Sequence, residues 1–102
     1  MNKISDQIME GMKTAMKAKD TVTLNTLRAL KTALTNTAIA KGGLGTLLEE
    51  AEELAVVRKQ IKQREDSAEQ FRSAGRPELA EKEEAEIAVL KPVSYTHLRA
   101  HE

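Results

Sequence analysis

The run Arg58-Lys59-Gln60-Ile61-Lys62-Gln63-Arg64 is the densest cluster of cations in this 102-residue chain. Arg58 and Lys62 stand four residues apart, so on a helix they share a face. Arg58, Lys59, Lys62 and Arg64 fall within two helical turns, a spacing that could track phosphates along a nucleic-acid backbone. The competing reading pairs these cations with Glu65, Asp66, Glu69, Glu83 and Glu86. The charge count favours it, because residues 46–92 hold twelve acidic side chains against eight basic ones. Residues 1–45 have the opposite balance, seven basic against three acidic, so the zero net charge hides two unlike halves. Docking of one half on the other, or two solvated faces, explains that asymmetry more simply than a nucleic-acid partner does.

Other chemistries find no support. With no Cys there is no thiolate nucleophile, zinc ribbon or disulfide. Ser5, Ser67 and Ser73 lack a credible His partner, and none stands in G-x-S-x-G. The glycines of Lys41–Thr46 lack the Lys-Ser/Thr ending of a phosphate loop and read as a helix stop. His97 and His101 have the i, i+4 spacing of zinc ligands, but no Glu lies between them and no third ligand is at hand. The many Glu residues sit on solvated helical faces, which leave a carboxyl ordinary rather than tuned for catalysis. No catalytic residue, cofactor or metal is expected. Aromatics make up 2% of the chain, too few for a surface that stacks bases. No apolar run is long enough to cross a bilayer, and the N-terminus does not read as a signal peptide, so no membrane is expected and the cytosol is the default compartment.

The elements that must position the basic run are helices. Ala, Leu, Glu, Lys and Gln dominate, with 5 Gly and 2 Pro. Ile4, Ile8, Met12, Ala15 and Met16 mark one face of a first helix, slightly weakened by Gly11. Asp20 caps a second helix, whose stripe is Leu24, Leu27, Leu30, Leu34 and Ala38 and which stops at the glycines of 42–45. Thr46 is the expected cap of a long third helix. Its stripe runs Leu47, Ala51, Leu54, Val57, Ile61, Ala68 and Phe71, and it reaches about Ala74, a rod of roughly 40 Å. Gly75 then stops it and Pro77 opens a fourth helix bearing Leu79, Ile87 and Leu90, which Pro92 is expected to end. The fold class is all-α, four helices in two antiparallel hairpins.

So short a turn at Gly75 makes helices three and four antiparallel neighbours. Residues whose numbers sum to about 150 then meet. Phe71 comes beside Leu79, Ile61 beside Leu90 and Arg64 beside Glu86. The polar interruptions of the two stripes thus fall together, and an Arg64–Glu86 ion pair is predicted, with Glu83 and Arg58 as alternate partners.

Residues 93–102, VSYTHLRAHE, differ in character from the rest and look like an in-frame translation of a transposase sequencing adapter. They read as a non-native tail on a helical domain of residues 1–92, and carry no functional argument.

Residues 58–90 are similar to the signature of the YqeY-like family, also called the GatB/YqeY domain family. The core K-Q-R-x-x-S-x-x-x-F/Y stands as Lys62, Gln63, Arg64, Ser67 and Phe71. The turn A-G-R-x-x-L follows as Ala74, Gly75, Arg76 and Leu79, and the ending K-E-x-x-E-I-x-x-L as Lys82, Glu83, Glu86, Ile87 and Leu90. Met12–Lys31 resembles the family's opening hairpin. The resemblance implies a small bacterial cytosolic protein with an N-terminal helical domain and a smaller helical domain. The smaller one is similar to the tail of the B subunit of the tRNA-dependent amidotransferase. It also implies a family label, carbon–nitrogen ligase with glutamine as amido-N donor. Lys91-Pro92-Val93 stands where the family has Tyr-Leu-Pro, and the smaller domain is expected to be missing. No catalytic residue of the family carries over. The implied role is a noncatalytic helical accessory that binds tRNA or an amidotransferase or synthetase subunit. The alternative is a protein-interaction module unrelated to tRNA.

Overall fold

The computed structural model of the protein describes residues 3–43 and 45–99. Four helices follow in order: α1 Lys3–Ala18, α2 Thr21–Gly42, α3 Glu50–Ser73 and α4 Pro77–Arg99. Among the described residues there is no strand, so the fold is all-α. α1 lies against α2, α3 runs along α4, and both pairs close on one core. Every helix contributes to that core: Ile4 and Ile8, then Leu27, Leu30 and Leu34, then Leu54 and Val57, then Leu90 and Val93. Gly11 of α1 faces Leu27 of α2. A Cβ there would stand 2.7 Å from Leu27 Cδ1, so the helix-weakening glycine makes room for a core leucine. Glu53 joins the interior from α3, and the Ser5 hydroxyl of α1 donates to it at 3.3 Å.

The two hairpins reverse by the same backbone device. After α3, the N–H of Gly75 reaches the Arg72 carbonyl at 3.1 Å and that of Arg76 reaches Phe71 at 2.8 Å. After α1, Lys19 N–H reaches Met16 at 3.2 Å and Asp20 N–H reaches Ala15 at 2.8 Å. Each is a Schellman closure, which needs a left-handed residue just past the helix. Gly75 supplies it at φ 76° and Lys19 at φ 57°. Asp20 then turns donor of one closure into cap of the next helix. Its carboxylate accepts the Thr23 N–H at 3.1 Å and the Thr23 hydroxyl at 2.6 Å. These bonds, the hydroxyl first, hold the Asp20 carboxyl below its ordinary range.

Three sequence expectations are corrected here. α3 starts at Glu50, not after Thr46, because the Glu52 side chain reaches back to the Glu49 N–H at 2.8 Å and closes the helix start there. Leu47 is therefore left in the preceding loop, 83% exposed, and Ala51 faces outward. Met16 leaves the α1 core face, 60% exposed, since Ile4, Ile8 and Ala15 centre that face about one residue-step away. Pro92 does not end α4. It removes one helical N–H, yet the helix runs on to Arg99 because Leu90 and Val93, three apart, are both buried in the four-helix core. The boundary drawn at 92–93 therefore falls inside a helix. Of the two suspected zinc-spaced histidines, His101 lies outside the described residues.

The paired reversals give a test of opposite signs. Gly75→Ala should lower the unfolding free energy by about 1 kcal/mol or more, because a Cβ is strained at that φ. Lys19→Gly should raise it, by up to about 1 kcal/mol, by releasing the same strain. Urea midpoints moving the same way for both would contradict the shared closure.

Candidate functional site: the α3–α4 face

α3 carries its cations in three different settings. Arg64 lies in the seam with α4, its side chain 13% exposed against 20% for Glu86. Its Nε donates to Glu86 Oε1 at 2.9 Å. Its Nη1 donates to Gln60 Oε1 at 2.7 Å and to the Gln60 carbonyl at 3.2 Å. The guanidinium is thus fixed along its own helix by Gln60 and across the hairpin by Glu86. Glu83 is half-buried on the same side of α4, and no ion pair joins it to Arg64 or to Arg58 among the described residues.

Lys62 is exposed and pairs with Asp66 one turn on, at 2.9 Å. The hydrogen bond to Asp66 raises its pKa, and the charge of Asp66 adds to that. Arg58 and Lys59 are exposed, and no ion pair holds either of them among the described residues. The four cations of the run are therefore not one strip. Arg64 is committed to the seam, Lys62 to its neighbour, and only Arg58 and Lys59 present open charge.

The opposite flank of the hairpin holds a pair that sequence register did not point to. Arg72 Nη1 and Nη2 grip the two Glu84 oxygens at 2.6 and 2.9 Å. Two-point contacts of this kind fix orientation as well as charge. Arg72–Glu84 sums to 156 rather than 150, because a helix has width and its two flanks meet a partner at different offsets. A register read along the apolar stripe alone sees one flank. The pair spans a furrow of about 640 Å³ floored by Ala68, Ile87 and Ala88. Arg72 holds the Glu84 carboxyl below the ordinary range. Arg76 does the same for Glu78 at the turn, over 2.7 Å. Among the described residues no cluster of His, Asp or Glu is arranged to hold a metal ion, and no helix is long and apolar enough to cross a membrane.

Two measurements probe this face. Arg64→Leu should cost about 2 kcal/mol by leaving Glu86 in the seam without its cation, while Arg64→Leu with Glu86→Leu should cost less than the two single changes together. Additive losses in the double-mutant cycle would remove the coupling. Glu84 has a folded-state pKa below its unfolded one, so its share of stability is present above the unfolded value and is lost as pH falls through the folded one. Thermal melts between about pH 5 and pH 3 should therefore fall less steeply for Glu84→Gln than for the parent chain.

The YqeY-like protein family matches residues 5–102 of this chain. A curated relative, "Altered inheritance of mitochondria protein 41, mitochondrial" of Pyrenophora tritici-repentis (strain Pt-1C-BFP), is 32% identical over 93 residues. The aligned part covers 91% of this chain and 50% of the relative, so the chain spans about half the length of that protein. A match that takes in all four helices and both reversals makes this chain a member of the YqeY-like family.

Proposed function

We propose that the chain is a noncatalytic helical accessory in tRNA-dependent amidation, binding tRNA through the start of the basic run. One observation supports this above the others. Arg58 and Lys59, adjacent in sequence, stand exposed and without ion pairs among the described residues, while Lys62 and Arg64 of the same run are paired. A cation that is not neutralised by its own protein is available to displace counterions from phosphate. The link to amidation rests on the family resemblance, in which the carbon–nitrogen ligase label goes with glutamine as amide donor. The cytosolic location belongs to this proposal too; the relative's name ties that protein to mitochondria.

The test is tRNA binding across a salt series, read by fluorescence anisotropy. With Arg58 and Lys59 as contacts, the slope of log K against log salt should be roughly −1.5 to −2. Arg58→Glu with Lys59→Glu should weaken binding about tenfold or more and flatten the slope by about 2. Binding without salt dependence, or indifference to the double charge reversal, would overturn the tRNA reading. Ribonuclease-resistant capture of an amidotransferase or synthetase subunit by that same variant would favour a protein-interaction module unrelated to tRNA.

A further inference from the structure

The α1–α2 hairpin has a cationic face of its own, built from residues that the basic run does not include. Two adjoining cavities, of about 440 and 160 Å³, share Lys31 and Thr35 and so form one furrow between the helices. Met9 and Met12 line its α1 side, and Arg28, Lys31 and Thr35 its α2 side. Helical spacing puts Met16 on the same stripe as Met9 and Met12. Met9 and Met16 are 55% and 60% exposed, a costly placement for two large apolar side chains unless something covers them. Thioether side chains are long, unbranched and polarisable, so a row of them moulds to the apolar side chains of an incoming partner.

On the α2 side of this row the charge has one sign. Neither Arg28 nor Lys31 has an ion-pair partner among the described residues. No acidic side chain lines either cavity. Asp6 and Glu10 lie further round α1 than the methionines. An apolar row beside unneutralised cations is the complement of a helix with one apolar stripe and carboxylates flanking it.

We propose that this furrow docks an acidic amphipathic helix of a partner protein. The stripe of that helix rests on Met9, Met12 and Met16, and its carboxylates face Arg28 and Lys31. A nucleic acid fits less well, since methionines offer nothing to phosphate and no aromatic ring lines either cavity to stack a base. A second copy of this chain fits less well too. Its own acidic helix, α4, already spends its stripe, Ala80, Ile87 and Leu90, on its own fold.

The experiment uses the full chain with ¹³C-labelled methionine methyls. The probe is a synthetic helical peptide of about 18 residues with Leu every third or fourth position and Glu elsewhere. The expected result is a saturable shift of the Met9 and Met12 methyl signals. Arg28→Glu with Lys31→Glu should weaken binding about tenfold or more, and so should Met9→Gln, while Arg58→Glu with Lys59→Glu should leave it unchanged. The milder Arg28→Gln and Lys31→Gln changes keep the test open if the charge reversals unfold the chain. Equal binding of a scrambled peptide without the stripe would overturn the proposal, as would equal binding of a Lys-for-Glu peptide. So would tighter binding of single-stranded RNA or of phosphatidylserine vesicles at the same signals, methyl shifts that follow the concentration of the chain alone, or no shift at all.

Discussion

A left-handed residue at Gly75 ends α3, and Pro77 opens α4 two residues later. So tight a reversal leaves the two rods no freedom to slide. One step of register would carry every side chain of a rod about 1.5 Å along and about 100° around its axis. In the observed register Ala68 and Ile87 are buried, Arg64 meets Glu86 on one flank and Arg72 meets Glu84 on the other. A slip would move the Arg64 guanidinium away from its carboxylate while keeping it out of water. That is the costly half of a buried ion pair, and it penalises wrong registers even if the right one gains little.

The same register decides which charges the protein keeps for itself. Along α3 and α4, Lys62, Arg64, Arg72 and Arg76 are each held by a carboxylate. Lys41 joins the end of α2 to Glu52 at the start of α3, over 2.6 Å. A chain with zero net charge thereby leaves some of its cations exposed without an ion pair among the described residues. Arg58 with Lys59, and Arg28 with Lys31, are such cations on two different hairpins. Both proposals rest on this local surplus, which no whole-chain charge reveals.

Much of this is legible in the sequence. Apolar spacing marked four helices, and the Ala-Gly-Arg-Pro reversal marked the hairpin and, through it, the meeting of Arg64 with Glu86. What was not legible has physical reasons. The start of α3 turned on a side chain, Glu52, reaching back to a backbone N–H three residues earlier, and a Thr followed by apolar residues offered an equally good local start. Pro92 read as a stop because local rules see the lost N–H and not the tertiary burial of Val93 one residue on. The division of the basic run into seam, neighbour pair and open cations depended on which way each side chain left the helix. Spacing offers Asp66 as a partner for Lys62, four residues on, but does not show that Arg58 and Lys59 stay unpaired beside them.

Lys19 does at the first reversal what Gly75 does at the second, but with a β-carbon in the way. The penalty is local, of order 1 kcal/mol, and it sits at the only covalent joint between α1 and the rest of the bundle. The molecule is therefore asymmetric in where it begins to come apart. A fluctuation that relaxed Lys19 would also free the Asp20 closure, and α1 leaving from that joint would uncover Leu27 and Leu30, while the glycine-built joint between α3 and α4 has no such tension to release.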